Sequence, residues 1–148
     1  MAKAITTLIV EDSADSRAWL RNRLESMGCE VVGEAESAAE GLKQFEALRP
    51  RLVTLDIVMP EVDGMTAMDL FQHISEKARD VGVLIISVRP LADSHPFLKL
   101  GAIGYLEKPF INFDETAKLL RAFFPELGAE ERMAGKRGGL SRRLARNC

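Results

Sequence analysis

The sequence predicts an α/β protein in which five strand–helix units form one parallel sheet with helices on both faces. Short strand-like segments alternate with amphipathic helix-like segments along the chain, which is typical of this class. The segment "GVLIIS", Gly82–Ser87, is apolar almost throughout, as expected of a strand buried on both faces. Acidic residues directly follow the first and third strand-like segments, so the chemically distinctive residues lie at strand ends.

The predicted strands and the first two helices follow from local composition. The strands are Ile5–Val10, Glu30–Ala35, Leu52–Leu55, Gly82–Ser87 and Ile103–Leu106. The first helix is predicted over Ala14–Met27 and ends before Gly28, because glycine favours the residue after a helix. Ser37 is predicted to cap the second helix, which places Ala38, Leu42 and Phe45 on one face.

The last three helices are predicted from spacing and from proline. Ala67, Leu70, Phe71 and Ile74 recur at the intervals of one helix face. The fourth helix is predicted from about Ser94 to Leu100, with Pro96 in its first turn, because proline lacks the amide hydrogen needed further in. The last helix is predicted over Asn112–Phe124 and ends before Pro125.

Composition indicates a soluble globular protein. A chain of 148 residues with 47% hydrophobic and 28% charged residues fits one domain. No apolar run approaches the roughly 18 residues of a membrane span, and the first residues lack a signal-peptide pattern. Two cysteines, Cys29 and Cys148, make no disulfide framework, which favours a reducing cytoplasm.

The charge is distributed unevenly. Six of the 20 basic residues and none of the 22 acidic residues lie from Arg132 onward, so the remainder carries a formal charge of −8. This C-terminal segment contains glycine and lacks periodicity. We therefore predict a domain over residues 1–125 and a basic, flexible tail over residues 126–148.

Reactive side chains converge at one edge of the predicted sheet. Glu11 and Asp12 follow the first strand, and Asp56 follows the third. Ser87 ends the fourth strand, and Lys108 follows the fifth. Ligands of parallel sheets bind beyond the carboxyl ends of the strands. We therefore expect three carboxylates, a hydroxyl and an ammonium group to meet at this edge.

These groups suit metal-dependent phosphoryl transfer. Carboxylates held close together repel unless a cation neutralises them, and hard oxygen ligands suit Mg²⁺ or Mn²⁺. A lysine offers positive charge to phosphoryl oxygens, and a serine hydroxyl can donate to one. An aspartate can act as the nucleophile and form an acyl phosphate.

Four motifs resemble one family. "LIVEDS", "LVTLDIVMPEVDGM", "LIIS" and "GAIGYLEKPF" occur in this order over about residues 5–124. Their combination and spacing resemble the receiver domain of bacterial two-component response regulators, of the chemotaxis-receiver type. The resemblance implies a doubly wound, flavodoxin-like sheet with strand order 2-1-3-4-5. It also implies a signalling domain that catalyses only its own phosphorylation and dephosphorylation.

The resemblance implies a role for each site residue. Asp56 matches the phosphoryl acceptor, and Lys108 matches the lysine that pairs with the phosphate. Asp12, Asp56 and the backbone carbonyl of Val58 match the direct ligands of Mg²⁺, and Glu11 matches the acid that acts through water. Ser87 matches the switch hydroxyl and Tyr105 the aromatic residue that moves with it. The Lys108–Pro109 bond is expected to be cis.

The resemblance also implies partners. A histidine kinase or histidine phosphotransfer protein is expected to donate the phosphoryl group. An output protein is expected to bind the face formed by the fourth helix, fifth strand and fifth helix. The tail interleaves no Phe, Tyr or Trp with its charges, so nucleic-acid binding is not expected.

Three rival functions use the same fold. An aspartate-nucleophile phosphatase would normally carry a second Asp where Val58 stands. A flavin or nucleotide binder would need a glycine-rich or hydroxyl-rich phosphate loop after the first strand, where "EDSADS" offers acids that repel phosphate without a metal. A phosphorylation-independent interaction module remains as the alternative, because Val88 narrows access to the predicted acceptor. Val58 and Arg89 also depart from the usual pattern of the family near the acceptor and the switch hydroxyl. The residues are compatible both with a stand-alone receiver and with a receiver cut from a longer regulator.

Overall fold

The computed structural model describes residues 4–88, 90–109 and 113–127. Strands and helices alternate through these residues. The strands are β1 (Ile5–Val10), β2 (Cys29–Ala35), β3 (Leu52–Asp56), β4 (Gly82–Ser87) and β5 (Gly104–Glu107). The helices are α1 (Ala14–Ser26), α2 (Ala38–Leu48), α3 (Ala67–Lys77), α4 (Pro90–Lys99) and α5 (Phe113–Phe123).

The five strands form one parallel sheet in the order β2-β1-β3-β4-β5, which confirms the predicted fold class and strand order. The chain crosses to β2 on one side of β1 and returns to β3 on the other, so the order reverses at β1. Asp56 pairs in register with Ile86 of β4, and Ser87 pairs with Glu107 of β5. The residues that end these strands therefore lie side by side at the carboxyl edge of the sheet.

Each face of the sheet has its own apolar core. One core joins the sheet to α2, α3 and α4 and includes Phe45, Phe71 and Phe97. The other joins it to α1 and α5 and includes Leu24 and Leu120. Every residue of β3 and β4 is buried, which explains why "GVLIIS" shows no alternation of polar and apolar residues.

Helix starts and apolar faces agree with the sequence pattern. Ser37 caps α2 by accepting a hydrogen bond from the amide of Glu40 at 3.1 Å, which confirms the predicted cap. The buried residues of α3 are those predicted from their spacing, namely Ala67, Leu70, Phe71 and Ile74. Apart from α4, the predicted and observed ends that fall on described residues agree to within one residue. Asn112 lies outside the described residues.

The fourth helix differs from its prediction. It runs from Pro90 to Lys99, and Pro96 lies inside it, not in its first turn. Pro90 takes the first helical position, where the missing amide hydrogen costs nothing and the fixed φ suits a helix. Phe97, which is buried and meets Phe71 edge-on with ring centroids 5.4 Å apart, anchors the helix beyond Pro96. The prediction was wrong because it applied the proline rule without this tertiary contact.

The chain remains packed for a few residues after α5. Leu127 is buried in the core beneath α1 and α5, and Arg51 Nη2 lies 2.7 Å from Glu126 Oε2. The guanidinium of Arg51 also lies 5.4 Å from the ring centroid of Phe124. Packing therefore continues at least to Leu127, and residues 128–148 lie outside the described part.

An aromatic contact joins α1 to the start of α5. The rings of Trp19 and Phe113 meet edge-on with centroids 5.3 Å apart. The guanidinium of Arg23 lies over both rings, 5.3 Å from that of Trp19 and 5.6 Å from that of Phe113.

Among the described residues, no helix combines the length and the apolar character that crossing a bilayer requires.

Candidate functional site

Two carboxylates are buried at the carboxyl edge of the sheet. Glu11, directly after β1, is 0% exposed, and Asp56, the last residue of β3, is 2% exposed. Asp12 is exposed at the same edge. The amide of Glu11 donates to the carbonyl of Ala35 at 2.9 Å, which continues the ladder between β1 and β2 by one residue. Since an ionised carboxylate is costly to bury unpaired, this edge needs positive charge.

Lys108 supplies that charge. Its Nζ donates to Asp56 Oδ2 at 3.1 Å and lies 2.8 Å from Glu11 Oε1. Glu11 Oε1 accepts no aligned hydrogen bond from the described residues, so its contact with Lys108 is an ion pair. The amide of Lys108 donates to the carbonyl of Ser87 at 2.9 Å, and the Lys108–Pro109 bond is cis, as the resemblance implied.

Backbone amides fix the second oxygen of each buried carboxylate. The amide of Val58 donates to Asp56 Oδ1 at 2.8 Å, and the amide of Ser13 donates to Glu11 Oε2 at 3.0 Å. In both residues one oxygen is held by the backbone and the other faces Lys108. Both carboxylates are therefore oriented by their loops before any ligand binds.

The shared lysine does not fully compensate the buried charge. Burial raises the pKa of the Glu11 carboxyl to about 7; Lys108 and the Ser13 amide oppose this rise, and Asp56 adds to it. For Lys108, burial favours a lower pKa, but the contacts with Glu11 and Asp56 outweigh it and the pKa lies above its usual range. Because its pKa is raised, Glu11 takes up a proton at a higher pH than an ordinary glutamate does.

The acidic residues fit a divalent cation. One carboxylate oxygen each from Glu11, Asp12 and Asp56 lie within 4.8 Å of one another. Three carboxylates and one lysine leave two negative charges, and Glu11 Oε1 still has acceptor capacity. All the ligand atoms are hard oxygens, and the exposure of Asp12 leaves room for water, which suits Mg²⁺ or Mn²⁺. The prediction of a magnesium-compatible acidic site is therefore supported by the geometry.

The structure places the other predicted site residues on or next to β3, β4 and β5. Ser87 is buried at the end of β4, next to Ile86, which pairs with Asp56. Tyr105 lies on β5, half-buried against the core of α2, α3 and α4, and its carbonyl accepts from Thr116 of α5 at 3.3 Å. The side chains of Val58 and Val88 are 50% and 52% exposed near the acidic cluster. Arg89 lies outside the described residues.

Sequence reasoning missed Arg17. Its Nη1 donates to the carbonyl of Glu11 at 2.8 Å, so it contacts the backbone between the two predicted metal-site acids. Its spacing from Ser13 shows only that it follows the N-cap by one helical turn, and a basic residue there is ordinary on a surface helix. The pattern gave no sign that this side chain turns back to the strand end.

The chain is similar to known signalling proteins. Residues 7–121 match the family model described as the response regulator receiver domain. The chain is 35% identical over 103 residues to the chemotaxis protein CheY of Bacillus subtilis, covering 70% of this chain and 84% of that protein. It is 36% identical over 122 residues to protein-glutamate methylesterase/protein-glutamine glutaminase 3 of Geobacter sulfurreducens, where 80% of this chain matches only 32% of the relative. The chain thus spans about a third of that relative.

Solved structures give the same result. The response regulator domain of Thermotoga maritima CheB superimposes with a TM-score of 0.65 at 29% identity, covering 85% of this chain and 98% of that one. CheY in a CheX–CheY–BeF₃–Mg²⁺ complex from Borrelia burgdorferi superimposes with a TM-score of 0.69 at 25% identity, covering 81% and 89% of the two chains. That relative was crystallised with Mg²⁺ and BeF₃.

Proposed function

Because the chain belongs to the response regulator receiver domain family, we propose that it accepts a phosphoryl group on Asp56 in a Mg²⁺-dependent reaction. The donor is a phosphohistidine of a histidine kinase or of a histidine phosphotransfer protein. A carboxylate oxygen of Asp56 attacks phosphorus, the bond from phosphorus to the histidine nitrogen breaks, and that nitrogen regains a proton. The product is an acyl phosphate on Asp56.

One observation carries the proposal. Asp56 is buried at a strand end with Oδ1 held by the Val58 amide and Oδ2 bonded to Lys108. A fixed carboxylate beside an ammonium is a nucleophile in position with a group ready to pair with transferred phosphate. Phosphoryl transfer depends mainly on such positioning and on neutralisation of charge.

The same cluster supports the metal ligands that the resemblance implies. Asp12, Asp56 and the Val58 carbonyl would hold Mg²⁺ or Mn²⁺, and Glu11 would act through water. Such an ion would supply positive charge to the phosphoryl oxygens, and Lys108 would pair with them as well. The acyl phosphate carries roughly −1.5 to −2 charge in place of the single negative charge of the Asp56 carboxylate, and these cations would offset it.

The response passes through Ser87 and Tyr105. The hydroxyl of Ser87 donates to the new phosphoryl group and Tyr105 changes rotamer, which alters the face formed by α4, β5 and α5 for an output protein. Leu119 lies on this face, 44% exposed and over Gly104 of β5, where an added Cβ would lie 2.6 Å from Leu119 Cδ1.

The sparing use of cysteine and the kinase partner together support a site of action in the cytoplasm.

Intact-mass measurement after incubation with acetyl phosphate and Mg²⁺ tests the proposal. The wild type is expected to gain one phosphoryl group, and Asp56→Asn is expected to gain none. Asp63→Asn, which changes an exposed acid in the Val62–Met65 turn, is the matched control and should behave as wild type. Equal uptake by Asp56→Asn would contradict the assignment of the acceptor, whereas no uptake by the wild type would favour a phosphorylation-independent interaction module.

A further inference from the structure

An arginine on α1 holds the loop that carries the two acids. Arg17 Nη1 donates to the Glu11 carbonyl at 2.8 Å, Nε lies 3.3 Å from Glu34 Oε1, and Nη2 lies 3.6 Å from Glu36 Oε1. The side chain is only 14% exposed. A guanidinium is planar with donors at fixed angles, so three simultaneous contacts leave it one orientation.

The carbonyl that Arg17 binds belongs to the peptide group linking Glu11 to Asp12. The amide of Glu11 makes a ladder bond to Ala35, where β2 ends, and the Arg17 guanidinium donates to the Glu11 carbonyl. On the far side of Asp12, the amide of Arg17 donates to the carbonyl of Ser13 at 3.0 Å. Arg17 therefore hydrogen-bonds to the backbone on both sides of Asp12, with its guanidinium to Glu11 and with its amide to Ser13.

We propose that Arg17 is a positioning residue that raises the affinity of the acidic cluster for a divalent cation by fixing the Glu11–Asp12 peptide. The inference rests on the proposed Mg²⁺-dependent function. Asp12 is exposed, so its backbone decides where its carboxylate points relative to Asp56. Releasing the Glu11 carbonyl leaves Asp12 free to take up several positions, and binding a cation must then select one of them.

Electrostatics alone predicts that removing Arg17 would strengthen cation binding, which is opposite to the effect expected from lost positioning. Arg17 is a cation near a cation site, and its removal leaves Glu34 and Glu36 less neutralised. Both changes make the region more negative, which by Coulomb's law should tighten the binding of a divalent ion. Weaker binding on removal of Arg17 would therefore report lost positioning, because the change in charge cannot produce it.

The same helix offers a matched control. Arg21 lies one turn further along α1, and its Nε donates to Glu34 Oε2 at 2.7 Å. Its guanidinium pairs with Glu34 and Glu25, and its described contacts do not include Glu11. Arg21→Gln thus removes the same charge and one pair with the same glutamate without freeing the Glu11 carbonyl.

The test is direct titration with Mn²⁺, read from the electron paramagnetic resonance signal of the free ion, with Mg²⁺ as competitor. Arg17→Gln is expected to bind about threefold to tenfold more weakly than wild type, less than the roughly 10- to 100-fold typical of a group that contacts a metal ligand's side chain directly. Arg21→Gln is expected to bind as wild type or slightly more tightly. Arg17→Lys keeps the charge but lacks the planar fork whose three nitrogens contact Glu11, Glu34 and Glu36, so it should also bind more weakly.

Kinetics separate positioning from a general loss of structure. With acetyl phosphate as donor, the Mg²⁺ concentration for half-maximal phosphorylation of Arg17→Gln should rise by the same factor, while the rate at saturating Mg²⁺ stays that of wild type. If Arg17→Gln and Arg17→Lys bind Mn²⁺ as tightly as wild type, or if Arg21→Gln weakens binding equally, the inference is wrong. Failure of the wild type itself to bind Mn²⁺ would instead overturn the proposed function, and the inference with it.

Discussion

At the scale of single residues, Glu11 should make stability depend on pH. Its folded pKa of about 7 lies above its ordinary value of 4.5, so between these values the folded protein binds more protons than the unfolded chain. The free energy of unfolding contributed by this group should therefore fall as the pH rises through this window. The loss should be on the order of 3 kcal/mol, since the pKa is raised by more than two units and one pKa unit corresponds to about 1.4 kcal/mol.

Urea unfolding at several pH values in the presence of a metal chelator measures this effect. Glu11→Gln cannot ionise, so its stability should change less than that of wild type between pH 4.5 and pH 7. Added Mg²⁺ should stabilise the wild type most at the upper end of the window, where Glu11 is ionised. Parallel curves for wild type and Glu11→Gln would show that the carboxyl is not perturbed by burial.

Val58 should lengthen the lifetime of the phosphorylated state. Its amide holds Asp56, and its half-exposed side chain offers attacking water no hydrogen bond. Val58→Asn would add a group able to orient that water, and one hydrogen bond of about 1 kcal/mol changes a rate by roughly fivefold. We expect faster release of phosphate after removal of the donor, and a faster release still with Arg89→Glu added.

Val62→Asn provides the control for this measurement. Val62 is 39% exposed in the turn that precedes α3, and its substitution adds the same amide without a contact to Asp56. Its decay rate should equal that of wild type. An unchanged or slower decay in Val58→Asn would show that the valine does not limit the approach of water.

At the scale of elements, Pro96 should lower the stability of α4, and replacing it should raise that stability. Pro96 is exposed and lies inside the helix, where it cannot donate to the carbonyl four residues earlier. Pro96→Ala restores that donor and removes no buried contact, although it also frees the unfolded chain. We expect the free energy of unfolding to rise by about 1 to 2 kcal/mol, measured in urea.

Pro125→Ala is the comparison, because Pro125 is exposed and follows α5 without interrupting it. Its substitution should leave stability unchanged or slightly lower. If Pro96→Ala lowers stability by as much as Pro125→Ala or more, the proline is not a defect of the helix.

Helices α3 and α4 show what the sequence can and cannot predict. The spacing of Leu70, Phe71 and Ile74 was sufficient for α3, because one face of that helix packs on the sheet. The extent of α4 depends on Phe97 meeting Phe71, two residues that are distant in the chain. Likewise, motif spacing predicted that Asp56 and Lys108 would meet, but the turn of Arg17 back to Glu11 depends on side-chain geometry that no local pattern encodes.

At the scale of the whole molecule, the end of the packed chain can be tested by truncation. Deleting residues 132–148 should leave both phosphorylation and stability unchanged, because the basic segment was predicted to be a solvated tail. Deleting residues 126–148 removes the Arg51–Glu126 pair and the buried side chain of Leu127. Loss of a buried leucine costs about 2 to 5 kcal/mol, so this shorter protein should be markedly less stable in urea. Equal stability of the two proteins would show that Leu127 contributes nothing.

The contact between Trp19 and Phe113 gives the protein an optical signal of its own. The chain has one tryptophan, and its ring lies against the first residue of α5, a few positions after Lys108. A shift of α5 on phosphorylation would change the surroundings of the indole ring, so we expect the emission of Trp19 to report that shift. Intrinsic fluorescence is therefore expected to follow the state of the acidic edge in real time, without a label and without altering a residue of the site.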